Sequence, residues 1–214
     1  MAMSGLSVID AINEIVETVG EFPLASNTNP VPDGTGTSIY HRARQFLDRE
    51  DKRLQSLGWP ENTIMSKKFT ANGSNGTIGS GEGLTTTVLR VRAAGPDAHR
   101  TIVIREAGGT QLLHDSNADT NNFGNSAEVY LDTVYLLDFI DLPSLLQDVI
   151  VAKAKMEFQR RIQGNPQLDQ ALYQEYIQAE VALDRIRPDT VQPFNVQPMI
   201  PGGGGGGGAE KKGG

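Results

Sequence analysis

The chain has no cysteine among its 214 residues. That excludes disulfide frameworks, thiolate zinc sites and cysteine nucleophiles, and it suits a reducing compartment. A basic segment is also missing: residues 1–60, 61–140, 141–187 and 188–214 carry net charges of −3, −3, −1 and 0, giving −7 overall. The electrostatic footprint needed to grip a nucleic-acid backbone is therefore absent. The longest apolar run, Val134 to Leu142, is broken by Asp138 and Asp141 and falls far short of a membrane span, so no membrane partner is expected. The first 20 residues hold no Lys or Arg and include Asp10, Glu14 and Glu17, which argues against a secretory leader; the chain is expected to stay in the cytosol.

Catalytic signatures are equally scarce. No H-E-x-x-H, G-x-x-x-x-G-K-[ST] or G-x-S-x-G occurs. His41, His99 and His114 share no element and are expected to be exposed, with no metal between them. Asp132, Asp138 and Asp141 approach a carboxylate cluster, but Asp141 falls on the opposite strand parity and is expected to cap a helix. The stretch Gly79-Ser80-Gly81-Glu82-Gly83 resembles a phosphate loop in composition alone and reads as a surface loop. Neither a cofactor nor an enzymatic activity is expected; a soluble enzyme with an unrecognised carboxylate site stands as an alternative that no motif supports.

What is present is a foldable body: 38% of residues are hydrophobic, and nine of the 24 glycines fall in residues 201–214. Val8, Ile12, Ile15 and Val19 recur at helical spacing, with Ser7 as N-cap and Gly20 and Pro23 as stops. Ile39, Ala43, Phe46, Leu47, Leu54 and Leu57 mark a second helix ending at Gly58, its outer face carrying His41, Arg42, Arg44, Asp48, Arg49, Glu50, Asp51, Lys52 and Arg53. Strands are predicted over 63–70, 85–93, 100–105, 110–113 and 129–140, with hairpin connections at 94–97 and 107–109. A third helix is predicted from Asp141, with Pro143 in its first turn, to Gly164. The fourth follows Asn165-Pro166 and carries Leu168, Leu172, Tyr176, Ala179, Leu183 and Ile186.

The short link at Gly164 and Asn165 predicts an antiparallel αα-hairpin. The expected fold class is α+β: a four-helix bundle of two αα-hairpins with an inserted β-rich module and an extended C-terminal arm. The expected divisions are 1–60 and 141–187 for the hairpins, 61–140 for the β module and 188–214 for the Pro/Gly-rich arm. Mixed charges on the helices suggest a subunit interface built from Arg42, Arg49, Arg53, Lys153 and Arg160. Arg90 and Arg92, with Arg100 and Arg105 near them, form the best basic patch; it reads more readily as a surface or subunit contact than as a DNA-contacting groove.

The segments AINEIVETVGEFPLAS and HRARQFLDREDKRLQSLGWPENT, and later DLPSLLQDVIVAKAKMEFQRRIQGNPQLDQALYQEYIQAEVALDRI, resemble the tail tubular protein A family of short-tailed bacteriophages. The matching features are Ile15 through Gly20-Glu21 and Pro23, Leu54-Gln55-Ser56-Leu57-Gly58-Trp59, and Ala152-Lys153-Ala154 through Phe158-Gln159. The resemblance covers residues 8–62 and 136–186, while the β module matches loosely. It implies a structural virion protein of the tail, assembled in the host cytoplasm: a homo-oligomeric ring of twelve copies between portal and tail nozzle. Tail fibres would attach nearby, and double-stranded DNA would only pass through the lumen. On that reading Val191, Phe194, Val196, Met199 and Ile200 form a portal-docking arm, since an extended Pro-rich segment cannot bury them in its own bundle.

Overall fold

The computed structural model describes residues 5–25, 38–107 and 109–186. The expected arm, with Val191, Phe194, Val196, Met199 and Ile200, lies outside the described residues. The elements run α1 (Val8–Glu17), α2 (Ile39–Gln55), β1 (Thr63–Thr70), β2 (Val88–Ala93), β3 (Ile102–Ala107), β4 (Thr110–Asp115), β5 (Glu128–Tyr135), α3 (Ser144–Ile162) and α4 (Pro166–Ile186). The fold is thus mixed α+β, with helices on either side of the strands in sequence and two small antiparallel sheets.

Ser7 caps α1 by accepting from the Asp10 amide, as its spacing predicts. The buried stripe Ala11, Ile12, Ile15 and Val16 packs with Ala43 and Leu47 of α2, Leu146, Val149, Ile150, Ala154 and Phe158 of α3, and Leu183 of α4 in one apolar cluster. Between α3 and α4, Gly164 takes a left-handed backbone with φ of +65° and its amide returns to the Gln159 carbonyl at 2.9 Å. Asn165 then caps α4 by accepting from the Gln167 and Leu168 amides. Lys155 pairs with Glu175, and Arg160 with Asp169, across the two helices.

The start of α3 departs from expectation. Residues 139–141 form a 3-10 turn, Leu142 and Pro143 are extended, and the helix begins at Ser144. A residue before proline is pushed out of the helical region, so Asp141 neither joins nor caps the helix. The buried Gln147 ties this corner together: it donates to the Phe139 carbonyl at 2.7 Å and accepts from the Leu6 amide at 2.9 Å.

In the strand region β5 is the centre of a three-stranded sheet ordered β1-β5-β2, while β3 and β4 form a separate hairpin. Residues 94–97 are consequently not the hairpin connection that their composition suggests. The Ala94 amide continues the β2–β5 ladder by bonding the Tyr130 carbonyl, and the buried Asp97 carboxylate accepts from the Tyr130 amide, turning the chain out of the sheet. The β2–β5 register also slips between Val88 and Arg90. That extra residue moves Val88 onto the buried face with Val91 and Ala93, where strict alternation places it beside Arg90 and Arg92. These side chains join Phe69, Ile78, Leu84, Leu113, Val129 and Leu131 in a second apolar cluster.

A buried polar network joins the two clusters. The Gln55 amide nitrogen donates to Asp51 Oδ1 at 2.8 Å and to the Leu137 carbonyl at 3.0 Å, and Gln55 Oε1 accepts from the Leu137 amide at 2.8 Å. Asn62 donates to the Gln55 and Tyr135 carbonyls and accepts from the Trp59 amide. The end of α2 is thereby bonded to both the chain that leads into β1 and the chain that leaves β5.

Candidate functional site

α2 carries most of the cationic residues expected at an interface. Ser38 caps it by accepting from the His41 amide, and Ala43, Leu47, Glu50, Asp51 and Gln55 form its buried side. Glu50 and Asp51 therefore do not belong to the solvated outer face expected for them; they are only 4% and 8% exposed. Their positions continue the stripe that starts at Ala43 and Leu47, so helical period was the usable signal and residue type was misleading. Glu50 is compensated from above: Arg49 Nε lies 3.0 Å from Oε1 and Arg53 Nη1 lies 3.5 Å from Oε2. The Arg49 guanidinium also stacks 4.5 Å over Phe46, which meets Phe158 edge-on at 5.7 Å.

Arg42, Arg49 and Arg53 lie along one exposed α2 face. Arg53 and Lys153 meet at an open cleft of about 220 Å³, whose floor includes Leu54, Leu57, Val149 and Ile150 and whose far wall is Tyr176 and Glu180. Lys153 Nζ sits 4.5 Å over the Tyr176 ring. The Tyr176 hydroxyl donates to Glu180 at 2.9 Å; burial first, then that bond, pushes its pKa up to about 12. Arg160 is two turns further along α3, engaged with Asp169 at 2.5 and 3.2 Å and with Glu157 at 3.5 Å. Of the five side chains expected at an interface, Arg53 and Lys153 line one cleft, Arg42 and Arg49 lie on the same α2 face as Arg53, and Arg160 lies near the α3–α4 turn.

The rival sites take a different form. Arg92 binds Asp132 through Nη2 at 2.7 Å, and Asp132 also accepts from the Ser66 amide, where β1 is bulged with φ of +49°. Arg100 lies 3.3 Å from Asp97 and 3.9 Å from Asp115. Arg92 and Arg100 of the arginine patch are thus paired with local carboxylates, which weakens the patch as a grip on a nucleic-acid backbone. Asp132 is buried whereas Asp138 and Asp141 are exposed, and among the described residues no group of three His, Cys, Asp or Glu is placed to hold a metal ion.

In the glycine loop, Glu82 accepts from the Gly79 amide at 2.9 Å and from Asn72 at 3.0 Å, so the loop satisfies itself. A Cβ at Gly79 would stand 2.9 Å from the Leu112 Cδ2 methyl and 3.3 Å from the Gln111 carbonyl oxygen, so a larger residue there would push the Leu112 side chain aside. His114, contrary to expectation, is 4% exposed, with Nδ1 bonded to Asn121 at 2.7 Å and Nε2 3.3 Å from Asp119. It sits on the buried end of β4, which its strand-end position in the sequence does not reveal. Among the described residues no helix is long and apolar enough to cross a membrane.

A family model described as tail tubular protein matches residues 9–193. The chain belongs to the tail tubular protein family. No curated protein matches it. Membership makes the chain a structural component of a bacteriophage tail, resident in the virion and assembled with other tail components. For such a protein the relevant chemistry is that of surfaces, and the α2 ridge with its cleft is the most developed surface that the expected residues build.

Proposed function

We propose that this chain is a head-to-tail adaptor that forms a homo-oligomeric ring of twelve copies between portal and tail nozzle, around the channel through which DNA leaves. The observation that carries the reading is the family match over most of the chain. In this reading the four helices act as a bundle of two αα-hairpins, residues 1–60 and 141–187, that packs side by side with its neighbours. Arg42, Arg49, Arg53 and Lys153 contribute to the subunit contacts, with Arg160 closer to the α3–α4 turn. The β module, residues 61–140, faces away from the capsid toward nozzle and fibre proteins, where its loops suit adaptable contacts. Val191, Phe194, Val196, Met199 and Ile200 supply the portal-docking arm. A net charge of −7 per copy favours passage of duplex DNA over adhesion to it.

Imaging the purified chain with the portal of its phage tests this reading. The expected result is a twelve-fold ring capping the portal, with the β modules on the distal side. A chain truncated after Asp189 is expected to keep its fold and to lose portal attachment. Side-on or sporadic binding without a ring overturns the proposal, and portal binding by the truncated chain at full strength overturns the role of the arm.

A further inference from the structure

The first lysine or arginine in the chain is Arg42. Before it, Asp10, Glu14 and Glu17 recur at spacings of four and three, which puts them on one side of α1 opposite its buried stripe. Glu21 follows directly after the turn that closes the helix, and Glu17 and Glu21 make no ion pair among the described residues. Asp148 of α3 and Glu175 of α4 add to this edge, and Lys155 pairs into it, 3.8 Å from Glu14 and 2.5 Å from Glu175. Burial holds the Glu14 carboxyl above the usual carboxylate range, Lys155 opposes this, and Glu175, Asp148 and Glu17 push it further up. The edge ends in Phe22, which is 85% exposed. The backbone at Phe22 is tethered: the Tyr40 hydroxyl donates to the Phe22 carbonyl at 2.8 Å, and Asn13 clamps Leu24 through bonds of 2.9 and 2.7 Å.

α2 presents the opposite charge in the same order. Arg42, Arg49 and Arg53 share a face with Lys52 beside them, and the acid beneath them, Glu50, is buried. Beyond Arg53 the ridge opens into the cleft floored by Leu54, Leu57, Val149 and Ile150. Asp10 to Glu17 and Arg42 to Arg49 both span seven residues, about 10 Å of helix. Past Glu17 the acidic edge leaves the helix through the Gly20 turn to Glu21 and Phe22, while on α2 one further helical turn leads from Arg49 to Arg53 and the cleft. The two edges lie on opposite flanks of α4, since Lys155 joins Glu14 to Glu175 while Arg53 and Lys153 face Tyr176 and Glu180.

We infer that a second copy of this chain occupies the α2 ridge and cleft, with its α1 acids facing Arg42, Arg49 and Arg53 and its Phe22 seated in the cleft. Two complementary edges on opposite flanks make a head-to-tail contact, which propagates and closes into a ring when the rotation permits. A symmetric pairing of two α2 ridges would set arginine against arginine, and a nucleic acid would use the arginines without any role for α1 or Phe22. An exposed aromatic on a tethered backbone beside a charged rim has the anatomy of an interface anchor. The inference rests on the ring reading and assigns its two faces.

The test uses the full chain in analytical ultracentrifugation at low and moderate salt. Glu17→Lys with Glu21→Lys reverses the first face, and Arg42→Glu with Lys52→Glu reverses the second; none of these four side chains forms an ion pair among the described residues, so circular dichroism and melting are expected to match wild type. Each double variant alone, and Phe22→Ala, is expected to lose the assembled species. An equimolar mixture of the two reversed variants is expected to regain it, because each reversed face then meets a complementary one. Wild-type-like assembly by both variants overturns the face assignment and leaves the ring reading standing, as does a mixture that fails to assemble. A wild-type chain that stays monomeric up to its solubility limit overturns the inference together with a self-assembling ring.

Discussion

Asp51 shows how one misplaced-looking charge serves the fold. Its carboxyl is lifted from the ordinary 3.8 to about 6, chiefly by burial; Gln55 opposes the shift by donating to it, Asp48 adds to it, and Arg44 and Lys52 oppose it. The native state therefore holds this proton more tightly than the unfolded chain. Stability linked to Asp51 is full below about pH 4 and is lost as pH rises through 6. Asp51→Asn keeps an oxygen that accepts from Gln55 while removing the buried charge. It is expected to raise the melting temperature at pH 7.5, by a free energy on the order of 1–2 kcal/mol, and to lose that advantage at pH 4. Thermal melts of both proteins across this range check it, and a difference independent of pH contradicts it. Arg49 and Arg53 cover the buried Glu50, so reversing those two arginines would disturb the fold as well as any interface.

Among elements, the α3–α4 turn rests on a few local devices. Gly164 supplies the left-handed residue, and Asn165 caps the next helix. Gly164→Ala and Asn165→Ala are each expected to cost about 1 kcal/mol in urea unfolding, with little change in the slope of the transition. A neutral result at either position contradicts its assigned role. This turn was legible in the sequence because capping and left-handed residues act over four or five positions. So were the α1 stripe, the Ser7 cap and the pairing of β3 with β4. The Leu89 region was not: a bulge adds one residue without altering composition, and it shifts Val88 to the opposite face. The order β1-β5-β2 was also hidden, since it depends on Asp97 and Asn62 bonding to strand residues distant in sequence. On α2, residue type pointed Glu50 and Asp51 outward while helical period pointed them inward, and the compensating groups resolved the conflict in favour of burial.

At the scale of the whole molecule, the Gln55–Asn62–Leu137 network ties helices to strands: Gln55 at the end of α2 bonds Leu137 just past β5, and Asn62 just before β1 bonds Tyr135 at the end of β5. The same scale sets the central claim, that copies of this chain close into an adaptor ring. Native mass spectrometry of the full-length protein, alone and with portal, tests it most directly. The account predicts a discrete species at twelve times the 23.1 kDa chain mass, either free or added to the portal. A protein that remains a monomer or a dimer under both conditions contradicts it.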